Sequence, residues 1–204
     1  MSDEKRPYRK RRRAEREAET RRRITESAVE LHGTLGPSRT SISAIAERAG
    51  VRRSTVYRHF ADEAALFTAC SSHWAAANPV PEIGRWARIA DPDKRLRVAL
   101  DELYPHYRRT EPMMANLSRD EATMPTVRQF FSRYHDHITA ARETLIAGRR
   151  ARGRARQRTL AAIGHTLAFG TWRSLAREQG LDDAQAVELM CRLVAAAERR
   201  PVAS

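Results

Sequence analysis

The spacing of the apolar residues is the feature that most constrains the fold of this chain. One stripe runs from Ile24 to Leu35 and a longer one from Val127 to Leu145, each in steps of three and four residues. Such steps place apolar side chains on one face of an α-helix. Strand-like alternation is nowhere convincing. The sequence therefore predicts an all-α protein of about nine helices.

Glycine, proline and capping residues indicate where these helices begin and end. Gly36-Pro37 closes the helix that carries the first stripe, and Asp62 is a suitable N-cap for the fourth helix. The stretch 78–81, Asn-Pro-Val-Pro, then breaks the pattern. Beyond it we expect a helix from 91–92, a shorter piece around 112–121, a long helix from 125, one through 160–175 closed by Gly180, and a last helix capped by Asp182.

The breaks in this pattern also suggest the domain organisation. We expect a basic N-terminal arm at residues 1–17, a three-helix domain at 18–78 and a helical body at 79–204.

The charge of the chain narrows the class of partner. The formal net charge is +13, and such a field favours polyanions such as nucleic acid or an acidic membrane surface. Residues 1–23 carry eleven Lys/Arg against five Asp/Glu, and residues 142–158 carry seven Arg against one Glu. We interpret 5–13 as a solvated tail ahead of the first helix that follows phosphates on DNA. We interpret Arg149–Arg158 as a solvated loop, with a second anion site left open.

Several classes of function find no support in the sequence. No stretch approaches the roughly 18 consecutive apolar residues of a membrane span, and the N-terminus lacks the apolar core of a secretory signal. Cys70 and Cys191 have no metal-ligand spacing and are expected to be free thiols. There is no glycine-rich phosphate loop, nucleophile elbow or zinc-protease motif. We expect a cytoplasmic protein without cofactor, metal or enzymatic activity, and no membrane partner.

Residues 41–60 have the pattern of a helix-turn-helix. Ala46 is small where two helices would cross, and Gly50 tolerates positive φ in the turn. The apolar positions that would lock the pair in place are Ile45, Ala49, Val51 and Val56. The side chains left for phosphates and base edges are Arg52, Arg53, Ser54, Thr55, Tyr57, Arg58 and His59, with Ser41 as a cap or phosphate ligand. An ordinary helix hairpin is the alternative, and the combination of features argues against it.

The run 40–51, TSISAIAERAGV, followed by Ser54–Phe60, STVYRHF, resembles the signature of the tetracycline-repressor (TetR) family. The resemblance implies a homodimer on a near-palindromic double-stranded DNA operator, a ligand pocket in the body and an interface from the last two long helices. It implies phosphate contacts from Thr40, Ser41, Tyr57 and His59, and major-groove contacts from Arg53 and Thr55. The chain departs from the family at Arg52, often a hydroxyl residue, and at Glu63, usually lysine.

The body is rich in aromatic and amphipathic side chains that are candidates for an effector pocket. These are Trp74, Tyr104, Tyr107, Met114, Phe131, Tyr134 and Trp172. Most residues at helical spacing belong to the core, so this set competes with a purely structural interpretation. An aromatic or amphipathic small molecule would suit the rings and their donors.

Two further expectations concern assembly and regulation. Small residues between Ala161 and Gly170 and apolar residues between Leu189 and Ala197 are candidates for a dimer interface, with packing inside one chain as the alternative. The leading hypothesis is a repressor that a small-molecule effector releases from its operator. The alternatives are an effector-independent DNA-binding regulator or activator and, more remotely, an RNA-associated basic protein.

Overall fold

The computed structural model describes residues 5–199, and within that range every regular element is helical. The α-helices are α1 (Lys5–Thr34), α2 (Ile42–Arg48), α3 (Arg53–His59), α4 (Glu63–Ala77), α5 (Ile83–Ala87), α6 (Pro92–Asp120), α7 (Pro125–Ile146), α8 (Gly153–Leu167), α9 (Phe169–Arg173) and α10 (Asp183–Glu198). A 3₁₀ turn at Pro37–Arg39 and a π-helical turn at Ser174–Glu178 complete the set. The expected all-α class is confirmed, and α5 is a short helix that the apolar pattern did not predict.

The chain divides into two compact units. The first comprises residues up to Asn78 together with 115–130, and the second comprises 79–114 and the residues from Phe131 onward. The first unit thus includes the end of α6 and the start of α7. The predicted boundary between residues 78 and 79 assigns both of these segments to the helical body instead.

The core of the first unit forms where α1 packs on α4 and α2, and α2 packs on α3. Ile24 and Ala28, from the stripe of α1, are completely buried, and Val56 of α3 is only 1 % exposed. Burial of such a stripe supplies most of the stability of a helix of this kind.

In the second unit α8 packs along α10, and large buried side chains fill the space between the helices. Trp86, Leu100, Leu145, Ile163 and Leu167 are all fully buried. A buried arginine, Arg95, closes the end of α7 because its Nη1 donates to the carbonyls of Thr144 (3.0 Å) and Ala147 (2.7 Å). These carbonyls are among those that a helix C-terminus leaves unpaired.

Two predicted boundaries are wrong. The piece expected around 112–121 is the last part of α6, which runs unbroken through Pro105 and Pro112. Each proline removes one hydrogen bond, to the carbonyl four residues earlier. Those carbonyls belong to Asp101 and Arg108, both exposed, so water can satisfy them and the helix continues.

The helix expected through 160–175 is interrupted instead. It begins at Gly153, ends at Leu167 and resumes at Phe169, because Ala168 has extended backbone angles (φ −72°, ψ 132°). Its prediction failed because the apolar period continues across the break.

The basic run 5–13 does not precede the first helix, since α1 begins at Lys5. Ion pairs one turn apart, Arg11–Glu15 and Arg13–Glu17, support this part of α1. Residues 1–4 of the predicted arm lie outside the described residues. Every side chain from Tyr8 to Glu19 is exposed, so this described stretch of α1 contributes no side chain to the core of the first unit.

The second basic run is not a solvated loop either. Residues 153–158 form the first turns of α8, and Arg149 is buried. Its Nη1 lies 2.9 Å from both Asp93 Oδ1 and Glu198 Oε2. The interpretation failed because charge alone does not reveal carboxylates that lie some fifty residues away in sequence.

None of the helices in the range 5–199 has the length and apolar character needed to cross a membrane. The same residues contain no group of three or more His, Cys, Asp or Glu side chains arranged to hold a metal ion.

Candidate nucleic-acid interface

The turn between α2 and α3 has the geometry that the sequence predicts. Gly50 has φ +64°, a conformation that side chains with a Cβ rarely adopt. Ala46 is buried, and its carbonyl accepts a hydrogen bond from Val51 N (2.9 Å). Ser41 caps α2, since its Oγ accepts from Ala44 N at 3.2 Å. These contacts fix the direction in which α3 leaves the turn.

The side chains of α3 divide sharply between the two sides of the helix. Val56 is buried, whereas Thr55 and His59 are half-buried. The exposed set comprises Arg52, Arg53, Ser54, Tyr57 and Arg58. A basic, hydroxyl-bearing face on a short helix is what phosphate and base-edge contacts require.

The cations of this face are unpaired. Among the described residues, no carboxylate lies within ion-pair distance of Arg52, Arg53 or Arg58. The Arg53 guanidinium instead lies 5.6 Å from the centre of the Tyr57 ring and donates to Tyr57 Oη (3.3 Å). Their charge is therefore available to an external anion.

Thr40 and Ser41 lie just before α2. Ser41 is exposed, while Thr40 is half-buried and its Oγ1 donates to Gly36 O (2.8 Å). Arg39, exposed beside them, is a cation that the motif analysis did not select. Its charge and its place next to Thr40 were visible in the sequence.

A residue of α1 holds the end of α3. The Arg21 guanidinium lies 4.1 Å from the centre of the Phe60 ring and donates to the His59 carbonyl. Burial lowers the pKa of His59, and the charges of Arg58 and Arg21 lower it further. His59 is consequently neutral near pH 7 and suited to a phosphate contact through an N–H rather than through a full charge.

The start of α4 presents a carboxylate where the family usually has a lysine. Asp62 is the N-cap, as predicted, because its Oδ1 accepts from Ala65 N at 2.7 Å. Glu63 follows in the first turn and is exposed. A negative side chain there favours the helix dipole and repels phosphate.

The end of α6 holds the end of α1 within the first unit. Asn116 Nδ2 donates to the carbonyls of His32 (3.0 Å) and Gly33 (2.8 Å), and Arg119 Nη2 donates to Leu35 O (3.0 Å). Asp120 Oδ2 accepts from Ser38 N (2.9 Å). We name Asn116, Arg119 and Asp120 the α6 clasp. Sequence reasoning missed it, since nothing local marks a partner more than eighty residues away.

The predicted pocket residues lie mostly in the second unit. Tyr104, Tyr107 and Trp172 are completely buried, Met114 and Phe131 nearly so, and Tyr134 is half-buried. Trp74 belongs to the first unit, where its ring lies 6.5 Å from that of Phe130. The structure therefore brings six of the seven residues into one unit.

The tyrosine hydroxyls of this set have partners at the α8–α9 break. Tyr104 Oη donates to Thr166 O (3.0 Å), and Tyr107 Oη donates to Leu167 O (2.6 Å). Tyr107 and Tyr134 also share a hydrogen bond of 2.7 Å between their hydroxyls. These contacts satisfy the carbonyls that α8 leaves open, so the tyrosines have a structural role whatever else they bind.

Comparison with known proteins places this geometry in context. Residues 24–70 match the family model described as bacterial regulatory proteins, tetR family. No match is found among curated proteins.

Solved structures resemble the whole fold at low sequence identity. A Clostridium perfringens putative fatty acid metabolism regulator is 14 % identical over 85 % of this chain and 97 % of its own, with a TM-score of 0.63. A putative TetR-family regulator from Mesorhizobium loti is 17 % identical over 89 % of this chain and 96 % of its own (TM-score 0.61). The TetR-family regulator PfmR from Thermus thermophilus is 18 % identical over 89 % and 97 % (TM-score 0.59).

The family match covers α2, α3 and the parts of α1 and α4 that pack on them. Residues 24–70 therefore form a DNA-binding domain of the TetR-family type, and the chain as a whole has the fold of the TetR-family transcriptional regulators that it resembles.

Proposed function

We propose that the chain is a homodimeric repressor that binds a near-palindromic operator through two copies of α3 and leaves it when a small organic effector binds the second unit. The observation that carries the DNA-binding part is the exposed face of α3, where Arg52, Arg53 and Arg58 form no ion pair with any carboxylate in the range 5–199. Unpaired cations on a rigid helix are suited to neutralising phosphates.

The contacts follow from exposure and position. The phosphate backbone of DNA would be contacted by Thr40, Ser41, Arg52, Tyr57, Arg58 and His59. The base edges would be reached by the residues near the start of α3, which are Arg53, Ser54 and Thr55. Recognition helices generally contact bases through their N-terminal residues. Arg52 supplies charge at the N-cap of α3, and this would offset the loss of a cation at Glu63.

The dimer surface is proposed from unburied apolar side chains on α10. Leu189 and Leu193, one turn apart, remain 44 % and 38 % exposed. Their neighbours in the predicted interface, Met190 and Val194, are buried within the chain. Ala161 and Gly170, in the α8–α9 segment, are exposed as well. Two copies related by a twofold axis would bury these residues and present two α3 helices about 34–36 Å apart.

Selection of bound fragments from the genome of the source organism tests the DNA-binding proposal. We expect one family of near-palindromic duplexes, bound by two chains each as measured by analytical ultracentrifugation. Leu189→Glu with Leu193→Glu should give monomers that bind weakly, whereas Arg192→Glu, exposed on the same helix, serves as the charge control. Equal binding to unrelated duplexes, or preference for RNA, would contradict the proposal.

Effector release is tested separately on the selected duplex. A panel of aromatic and amphipathic compounds should include some that dissociate the complex in a mobility-shift assay. DNA binding that no compound weakens would leave an effector-independent regulator or activator.

A further inference from the structure

Two histidines of the second unit, one buried and one half-buried, each have a buried ring nitrogen without a hydrogen-bond partner among the described residues. Among the described residues, the buried unpaired side-chain atoms are His106 Nδ1, His137 Nε2 and Arg142 Nε. His106 is only 3 % exposed. An unsatisfied buried polar group destabilises the folded state, so native proteins keep few of them. Two on facing helices therefore indicate a site that something else completes.

The two imidazoles lie at one level of the α6–α7 pair. Tyr107 and Tyr134 join these helices through their hydroxyls (2.7 Å), and Arg95 on α6 reaches Ala147 O beyond α7. These contacts show that α6 and α7 run antiparallel within the second unit. His106 directly precedes Tyr107, and His137 lies about one turn after Tyr134, so both lie beside the tyrosine pair.

Burial and one nearby cation determine the protonation of this pair. Burial, with smaller contributions from Arg109 and His137, lowers the pKa of His106 to about 4. Burial also lowers the pKa of His137. Both rings are neutral near pH 7, so each can carry its proton on the unpaired nitrogen and donate it. The Arg109 cation also acts on His106, which favours an acceptor that is itself negative.

We propose that His106 and His137 bind the carboxylate of an organic effector, whose apolar part lies against the aromatic cluster at the α8–α9 break. A carboxylate has two oxygens and accepts one N–H from each ring. The Tyr107 ring lies 5.5 Å from Phe169 and 6.0 Å from Trp172, centre to centre, which provides aromatic surface beside His106. The inference rests on the proposed function, because it places the effector in the second unit.

Matched acids and alcohols provide the test. We would titrate the full chain with 4-phenylbutyrate and decanoate, and with 4-phenylbutanol and decanol, which share the hydrocarbon but lack the carboxylate. The acids should bind at least tenfold more tightly than the alcohols, as measured by calorimetry. His106→Leu, His137→Leu and the polar variants His106→Gln and His137→Gln should remove that advantage. His73→Leu, at an exposed position of the first unit, is the control.

The stability of the ligand-free variants gives a second readout with a definite sign. Leucine removes the unsatisfied nitrogen, so each leucine variant should raise Tm by about 2–4 °C. A histidine with a purely structural role would give a lower Tm. The proposal is overturned by acids that bind no better than the alcohols, by acid binding that the four histidine variants leave unchanged, or by leucine variants with lower Tm.

Failure of this site is distinguishable from failure of the proposed function. If a compound releases the operator equally from wild type and from His106→Leu, the regulator is ligand-responsive and the carboxylate site is wrong. If an acid requires His106 and His137 to bind but leaves the DNA complex intact, the site stands and effector-driven release is wrong.

Discussion

At the scale of the single residue, substitutions at two glycines with positive φ distinguish the cost of backbone strain from the cost of a steric overlap. Gly36 (φ +96°) adjoins the α6 clasp, where a Cβ would overlap the Arg119 guanidinium, while Gly50 (φ +64°) has open space around it. We expect Gly36→Ala to lower the free energy of unfolding by about 2–3 kcal/mol and Gly50→Ala by about 1 kcal/mol. Urea denaturation measures both. Equal losses would mean that the clasp does not constrain Gly36.

Arg149 and its neighbour Arg150 form a second matched pair. The Arg149 side chain is buried against Glu198 and Asp93, whereas Arg150 is exposed. Replacing Arg149 with Met leaves the half-buried Glu198 carboxylate without its cation, so we expect a loss of about 2–3 kcal/mol in the free energy of unfolding. Arg150→Met should change it by less than about 0.5 kcal/mol. A similar, small effect of both would show that the buried pair contributes nothing.

His32 gives the stability a dependence on pH. Burial lowers its pKa to about 4, although the Asp120 carboxylate acts in the opposite direction. The unfolded chain, with an ordinary histidine pKa near 6.5, binds this proton more readily than the folded chain. The contribution of neutral His32 to the free energy of unfolding is therefore fully present above pH 6.5. It decreases by about 3 kcal/mol as the pH falls toward 4.

The measurement is the free energy of unfolding from pH 7 to pH 4.5 for wild type and His32→Gln. The variant should show a shallower decline, and His73→Gln, at an exposed position, should follow wild type. A decline that His32→Gln leaves unchanged would remove His32 as its source.

At the scale of the element, α1 is longer than its packed part. Ile24 and Ala28 of its apolar stripe are completely buried, but the side chains from Tyr8 to Glu19 are exposed and rich in arginine. Deleting residues 1–13 removes seven cations, Lys5, Arg6, Arg9, Lys10, Arg11, Arg12 and Arg13, and leaves the core of the first unit intact. The plot of log K for DNA against log salt should become flatter, because each lost phosphate contact reduces the slope by about 0.9.

An unchanged slope would show that the basic part of α1 does not contact phosphates. Unfolding of the truncated chain should match that of the full chain, since the described side chains among the deleted residues, Tyr8 to Arg13, are all exposed. This comparison separates weaker DNA contact from a less stable domain.

The elements that sequence could predict are those with local signals. The α2–α3 turn was visible from Ala46 and Gly50, and the caps Ser41 and Asp62 were visible from their side chains. Long-range contacts were not visible: the α6 clasp, the ion pairs of Arg149 and the break at Ala168 all depend on partners distant in sequence. Pro105 and Pro112 gave a wrong boundary for a different reason, since α6 continues through both and the residues whose carbonyls lose a hydrogen bond, Asp101 and Arg108, are exposed.

At the scale of the whole molecule, charge and specificity have separate origins. A net charge of +13 attracts any nucleic acid, and that attraction alone would give salt-sensitive binding without sequence preference. Preference for one operator requires contacts to base edges, and we assign these contacts to the residues at the start of α3. The central claim is therefore a claim about discrimination between duplexes rather than about affinity alone.

The most direct test is the ratio of the affinities for the selected duplex and for a scrambled duplex of the same length, both measured at the same salt concentration. We expect wild type to prefer its own site by about 10³-fold or more. Arg53→Ala should reduce that ratio about tenfold or more, whereas Arg58→Ala should weaken both complexes nearly equally and leave the ratio unchanged. A wild-type ratio near one, or a ratio that Arg53→Ala does not alter, would contradict the assignment of α3 as the recognition helix.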